Sequence, residues 1–378
     1  MCIYIFFRTF AVYFTTMAGL YIHIPFCKSR CKYCDFFSTT QLDKRAQYVE
    51  ALLAEWHDRQ QELTEEIHTI YIGGGTPSML ETNDLKRIID SCIHSPHSPI
   101  TPSECTIEAN PGDITTEKAK AWRAMGINRL SIGIQTFDNN LLQLIGRRHT
   151  AEQAKQAISI AQNAGFDNIS IDLMYALPSQ TMEQWQKDVG IALQLDIQHI
   201  STYGLIYEEN TLLTRMLMQE KIEAVDEETE LQMYDYLVHQ LTSNGFQHYE
   251  VSNFARDGRE SKHNSNYWND TPYMGLGAGA HSYDGTNRQW NVCNIDTYIL
   301  QSLLHDLQPE IETLSDEQRH IEHIMLALRT SKGVAKNQVC MDKAYPYIQQ
   351  GMLTEQNNQL IATTKGFHIL NRIIEDLI

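Results

Sequence analysis

Three cysteines fall within eight residues of the stretch FCKSRCKYCDF (residues 26–36), at Cys27, Cys31 and Cys34. The C-x3-C-x2-C spacing lets a single loop wrap one inorganic group. Structural zinc takes four ligands, usually as two pairs with a longer spacer, and the next position of interest, Phe36, is not a thiol. Iron–sulfur cubanes are held by thiolates. Three thiolates leave one iron of a cubane without a protein ligand, and open coordination positions are where substrates bind in catalytic metal centres. The triplet therefore points to a [4Fe-4S] cluster whose fourth corner is kept for a small molecule. The other cysteines (Cys2, Cys92, Cys105, Cys293 and Cys340) are scattered. They are not the framework of a secreted disulfide scaffold, and a reducing compartment fits them better.

A second stretch, GGGTP (residues 73–77), offers backbone to a ligand without Cβ obstruction. Both stretches need elements to position them. Short apolar runs alternate with amphipathic stretches, the pattern of repeated βα units. Six runs read as strands: LYIHIP (20–25), HTIYIGGG (68–75), CTIEANP (105–111), RLSIGIQTF (129–137), NISIDLMYALP (168–178) and HISTYGLIY (199–207). The helical stretches between them include YVEALLAEW (48–56), one starting near Asn83, and AEQAKQAISIAQNAG (151–165), which closes on Gly165. A complete barrel of this kind has eight units, so the expected fold is α/β, a partial (β/α)6 barrel. Its loop with the three cysteines would sit at the C-terminal end of the first strand, where barrel chemistry is placed.

The triplet on the first βα loop, with Tyr33 before its last cysteine, resembles the radical S-adenosylmethionine (SAM) superfamily. There the amino and carboxylate groups of SAM chelate the free iron. The resemblance runs from Met17 over almost the whole chain. The landmarks YIHIPFC, GGGTPS, EANP, GIQTF, DLMYALP and YMGLGAGAHS come in the order of the branch that holds oxygen-independent coproporphyrinogen dehydrogenases and HemW-type heme chaperones. It implies SAM contacts at Tyr21, Tyr33, Gly74, Gly75, Thr76, Glu108, Gln135, Arg147 and Asp172. Glu108 and Asp172 suit ribose hydroxyls or an amino group, and Arg147 suits a carboxylate.

Two features favour the heme chaperones. Phe36 stands where the dehydrogenases carry a further cysteine, and their N-terminal arm has no counterpart. KHNSNYW (262–268) resembles the chaperones' H-N-x-x-Y-W motif. The resemblance implies heme as a further cofactor and His263 as its axial ligand, with Tyr267 and Trp268 lining a porphyrin face. His281 and His248 are weaker candidates. The implied function is binding heme and delivering it to apo-hemoproteins, respiratory enzymes at the membrane among them, with a reduced electron donor for the cluster. The alternative is radical decarboxylation of coproporphyrinogen III.

In a chain of 378 residues, 42% apolar and 20% charged residues describe a globular protein rather than a disordered one. A formal charge of −17 without a basic cluster argues against nucleic acid. The apolar opening MCIYIFFRTFAVYFTT lacks a basic n-region and a cleavage site, is interrupted by Arg8, and is too short to span a bilayer. Residues 1–16 are accordingly expected to be a dispensable extension, and the protein cytoplasmic, peripheral at the membrane at most. Residues 17–245 are expected to form the barrel, 246–295 a connecting segment with the heme motif, loop-like over 246–270, and 296–378 a small helical or winged-helix domain. In that domain Ser315 and Gln318 stand at capping-box spacing, QLIATT reads as a strand, and a last helix covers 367–377.

Overall fold

The computed structural model describes residues 17–62, 66–94 and 102–378. The expected N-terminal extension lies outside them. The six expected strands form β1 (Met17–Ile24), β2 (Glu66–Gly74), β3 (Glu104–Ala109), β4 (Arg129–Gln135), β5 (Ile169–Tyr175) and β6 (His199–Gly204). They pair in parallel and in sequence order. Between them run α1 (Arg45–Arg59), α2 (Thr82–Ile93), α3 (Thr116–Ala124), α4 (Asn139–Leu144), α5 (Ala151–Asn163) and α6 (Met182–Gln194). After β6 come α7 (Leu212–Met218) and α8 (Glu227–Ser243).

Side chains alternate across a strand, and here the alternation separates two jobs. Leu20, Ile22, Ile70, Ile72, Ile107, Leu130, Ile132, Ile171 and Ile200 join Trp122, Trp185 and Leu52 from the helices in one buried core. The intervening positions, Tyr21, Tyr71, Glu108, Ser131 and Asp172, are polar and face the barrel interior. Capping boxes at Thr150 with Gln153 and at Thr181 with Gln184 fix the starts of α5 and α6.

Among the described residues the barrel does not close. β6 pairs with β8 (Asn253–Ala255), which pairs with β7 (Gln247–Glu250), both antiparallel. On the opposite edge, β9 (Tyr273–Leu276) lies parallel to β1 and leads through β10 (His281–Tyr283) to β11 (Asn287–Trp290). The expected connecting segment therefore extends the sheet at both edges, and its part expected to be loop-like holds β7 and β8. It also contains a short helix, α9 (Lys262–Trp268), whose first turn is capped by Ser261 accepting from Asn264 N–H. After α10 (Ile295–Leu303), β12 (Glu310–Thr313) completes a sheet of 12 strands.

A buried carboxylate ties α1 to the glycine-rich turn after β9. Glu55 accepts from Arg59 Nη1 (2.7 Å) and Asn291 Nδ2 (2.7 Å) on one oxygen. On the other it accepts from Gly277 N–H (2.8 Å) and Tyr298 O–H (2.7 Å). Gly277 has φ +105°, and a Cβ there would lie 2.5 Å from the Tyr48 hydroxyl and 2.7 Å from the His23 carbonyl. Only glycine fits that turn.

The C-terminal unit has its own core, built from Leu328, Val334, Leu353, Leu360, Ile373 and Ile374. It comprises α11 (Asp316–Ala327), β13 (Val334–Ala335), α12 (Met341–Gln349), β14 (Leu353–Gln356), β15 (Gln359–Ala362), α13 (Thr364–Phe367) and α14 (Leu370–Leu377). Its three strands are antiparallel, in the order β13-β15-β14. The Ser315–Gln318 capping box is formed, and the single expected last helix is two, interrupted at His368 and Ile369.

Candidate functional site

The loop after β1 is held by its own backbone. Thr39 N–H donates to the Pro25 carbonyl (2.7 Å), Cys27 N–H to the Thr39 carbonyl (2.9 Å) and Cys34 N–H to the Cys31 carbonyl (3.3 Å). Lys32 N–H donates to the Ile145 carbonyl just past α4, and Leu213 N–H in α7 donates to the Lys32 carbonyl. These bonds bring Cys27, Cys31 and Cys34 to one cavity of about 390 Å3 at the C-terminal ends of the strands. Cys27 Sγ lies 3.4 Å from the Thr76 hydroxyl, and Arg147 Nη1 lies 3.5 Å from Cys31 Sγ.

Burial raises the Cys27 and Cys34 thiols above their ordinary range, which disfavours the free thiolates; a bound iron cluster, strongly positive at each iron, offsets that. Among the described residues no three His, Cys, Asp or Glu side chains converge on one ion-sized point. The three thiols line one cavity with the strand-end polar groups.

Facing the thiols are the strand-end polar groups. Glu108 accepts from the Tyr71 hydroxyl (2.8 Å) and from Gly74 N–H (3.0 Å). Burial raises its carboxyl to about 7 despite those two donors. Asp172 accepts from the Ser131 hydroxyl (3.2 Å), and burial raises it too. Arg147 donates to the Gly133 carbonyl, while its Nε is buried with no partner among the described residues. A buried guanidinium with a spare donor fits an incoming carboxylate. Gln135 ends β4 with φ +74°, where side chains other than glycine rarely sit; such strain costs roughly 1–3 kcal/mol and concentrates at ligand sites.

Tyr33, Gly74, Gly75, Thr76, Glu108, Gln135, Arg147 and Asp172 thus line the same cavity as the three cysteines. Tyr21 does not. It lines a neighbouring cavity, and its hydroxyl bonds His23 Nδ1 at 3.0 Å. The glycines do more than admit a ligand. A Cβ on Gly75 would lie 2.7 Å from the Pro25 carbonyl carbon, and one on Gly73 would lie 3.0 Å from Glu108 Oε1. They allow the ends of β1, β2 and β3 to meet. Ser131, Asn110, Met174 and Tyr203 also line the cavity; Ser131 was legible as a polar interior position of β4.

His263 is not a surface ligand. It is 1% exposed, inside the barrel at the N-terminal ends of the strands. Its Nδ1 is paired with the Thr69 hydroxyl (2.9 Å) and its Nε2 with the Tyr267 hydroxyl (2.9 Å). Burial, then Arg129, lowers it to about 3, so the ring is neutral. In this conformation neither nitrogen is presented to a heme iron. The cause lies in α9, whose first N–H groups, those of Lys262 and His263, donate to the buried Glu104 carboxylate (3.0 and 2.9 Å). That anchors the helix as a plug. His263 stacks on Tyr71 (5.2 Å, 27°), which holds Glu108, so the plug reaches the thiol-lined cavity through two rings.

The chain resembles known proteins along most of its length. Residues 21–190 match the model of the radical SAM superfamily. The chain is 37% identical to the heme chaperone HemW of Lactococcus lactis subsp. lactis (strain IL1403), over 94% of this chain and 96% of that one. It is 35% identical to the heme chaperone HemW of Bacillus subtilis (strain 168), over 94% and 98%. Among solved structures, coproporphyrinogen III oxidase (HemN) from Escherichia coli, described as a radical SAM enzyme, superposes with a TM-score of 0.81 at 22% identity. That match covers 96% of this chain and 90% of that one, and it shows the shared fold. With the three thiols, the glycine turn and the strand-end carboxylates gathered in one cavity, the chain belongs to the radical SAM superfamily and, within it, to the family of the HemW heme chaperones.

Proposed function

We propose that this protein is a heme chaperone that carries a [4Fe-4S] cluster and SAM and delivers heme to apo-hemoproteins. The observation that carries the reading is the juxtaposition of two joined cavities. One is ringed by three thiols and strand-end polar groups; the other, larger one is walled by Tyr21, Phe37, Tyr267 and Tyr273. The first suits a cubane and an aminoacyl sulfonium, and the second suits a flat apolar disc.

Each residue then has a task. Cys27, Cys31 and Cys34 would hold the cluster, and the rest of the cavity they line would take SAM beside it. Bound together, cluster and SAM supply one-electron reductive chemistry at the sulfonium. Arg147 receives the carboxylate with its spare Nε, Glu108 and Asp172 accept from the amino group or the ribose, and Gln135 and Thr76 bound the cavity. Tyr33 packs beside Cys31 and excludes water. A reduced donor protein would supply the electron for that chemistry, and the recipients of heme include respiratory enzymes at the membrane. Among the described residues no helix is long and apolar enough to cross a membrane.

Phe36, 73% exposed at the junction of the cavities, stands where coproporphyrinogen dehydrogenases carry a cysteine, which disfavours decarboxylation as the activity. The test is transfer. Anaerobically reconstituted protein loaded with hemin should restore activity to an apo-hemoprotein faster than free hemin does. Turnover of coproporphyrinogen III with SAM and reductant, without heme transfer, would overturn the reading.

A further inference from the structure

The larger cavity measures about 760 Å3, inside the range of roughly 300–1,000 Å3 that cofactor pockets occupy. Arg30, Phe36 and Ser38 line both cavities and so join them. We propose that this cavity is the heme site and that His281, at the start of β10, is the axial ligand of the heme iron. The proposal rests on the heme-chaperone reading and adds to it a location and a ligand.

Four histidines have to be weighed. His248, on β7, stacks on Phe254 (4.3 Å, 11°) and does not line the cavity. His263 is buried with both ring nitrogens bonded, as described above. His23 lines the cavity, but its Nδ1 is paired with the Tyr21 hydroxyl and its Nε2 with the Phe37 carbonyl (3.0 Å). His281 differs from all three. It is exposed, it faces the cavity, and no group among the described residues hydrogen-bonds its ring. Its one ring contact is a stack on Trp290 from the paired strand (5.8 Å, 25°), which orients the imidazole and leaves its nitrogens open. Partial burial and the nearby Arg288 lower its basicity, and neutral imidazole is the form that binds iron.

The walls agree with the ligand. Phe36, Phe37, Tyr267 and Tyr273 give rings for a macrocycle to stack against. Arg30 at the mouth donates to the Phe36 carbonyl at 3.4 Å and keeps further N–H groups for a propionate. Asp35 also lines this mouth, so Arg30 is the group that must meet the propionates. The heme-motif helix enters through Tyr267, which lines the cavity, packs edge-on to Tyr273 (4.7 Å, 90°) and is held by His263. His263 is therefore a positioning residue for one wall of the site.

The experiment is hemin titration of the full chain, reconstituted anaerobically with its cluster, followed in the Soret region and by electron paramagnetic resonance. His281→Ala should lose the histidine-ligated spectrum and bind hemin roughly 10–100-fold more weakly, a loss at least as large as outer-shell changes at metal sites bring. Free imidazole should restore the spectrum, while the cluster absorbance and melting temperature stay unchanged. His263→Gln should keep the ligand signature. Two results would overturn the assignment while leaving the chaperone reading intact: an unchanged ligand signature in His281→Ala, or its loss in Cys293→Ser, the exposed thiol on the same cavity, with His281 intact. Failure of the unaltered protein to bind hemin would overturn both.

Discussion

Replacing Glu55 by Gln should destabilise the protein far more than the change of one atom suggests. Each Glu55 oxygen accepts two buried donors: Arg59 and Asn291 on one, Gly277 and Tyr298 on the other. A glutamine amide must turn its NH2 toward one of those pairs, so two donors lose their acceptor whichever way it flips. At roughly 1–3 kcal/mol per orphaned buried group, the loss is about 2–6 kcal/mol, which agrees with the ~3–5 kcal/mol for breaking a buried ion pair. Arg59 keeps Glu62 (2.9 Å) and this holds the cost below the upper end. The control is Glu50→Gln, which breaks an exposed pair with Arg87 (2.8 Å) and should cost about 0–1 kcal/mol. Urea unfolding of both variants measures the difference, and hydrogen exchange at Gly277 and Ala278 localises it. The same turn carries Gly279 and Ala280 into the proposed heme cavity, so hemin affinity should fall as well. If Glu55→Gln unfolds at the same urea concentration as Glu50→Gln, the buried carboxylate is not what fastens the turn.

Acid should weaken the fold through its buried histidines. Burial lowers His23 and His248 to about 4 and His149 and His263 to about 3, and holds His199 well below its ordinary value. The folded values lie below the unfolded 6.5, so unfolding takes up protons. The stability is whole above pH 6.5 and falls below it by roughly 1.4 kcal/mol per pH unit for each such histidine, until the folded value is reached; pH-dependent urea midpoints test this, and a flat profile from 6.5 to 5 would contradict it. Gly75→Ala puts a Cβ 2.7 Å from the Pro25 carbonyl carbon and should cost about 1–3 kcal/mol while reducing cluster occupancy, read from iron content. Tyr71→Phe removes a donor that holds the Glu108 carboxyl down. SAM affinity, which should rise with pH as Glu108 ionises near 7, should then rise at higher pH; an unmoved profile from equilibrium dialysis would separate Glu108 from SAM binding. Alanine at Cys27, Cys31 or Cys34 should abolish the cluster absorbance, whereas Cys340→Ser, at an exposed thiol, should leave it.

The six parallel strands were legible because each is a short apolar run bounded by turn residues, and two-sided burial leaves that trace in the sequence. The cysteine loop was legible because ligand spacing within one loop is local. The stretch from 246 to 290 was not. Its strands have three or four residues and owe their existence to sheet edges supplied by β6 and β1, which lie far away in sequence. α9 was missed for a related reason: seven polar and aromatic residues carry no helical period, and Glu104, some 160 positions upstream, caps the helix. The place of His263 follows from that same contact. A motif read as KHNSNYW tells which side chains travel together but not which way the helix faces. Tyr21 fell in the neighbouring cavity through its bond to His23, a pairing two residues apart on one strand face.

A sheet with two unpaired margins behaves unlike a closed tube. β7 ends one margin and β12 the other, and among the described residues no ladder joins them. A sealed barrel releases a rigid disc only through its rim, so departure needs the cargo to pass through water. Heme held in the proposed cavity would lie against β9 and β10, near this open margin, where a docked recipient could reach it before it left its stacking partners. Exchange by partial overlap keeps a sparingly soluble macrocycle covered throughout, and its rate should then depend on recipient concentration rather than on spontaneous dissociation.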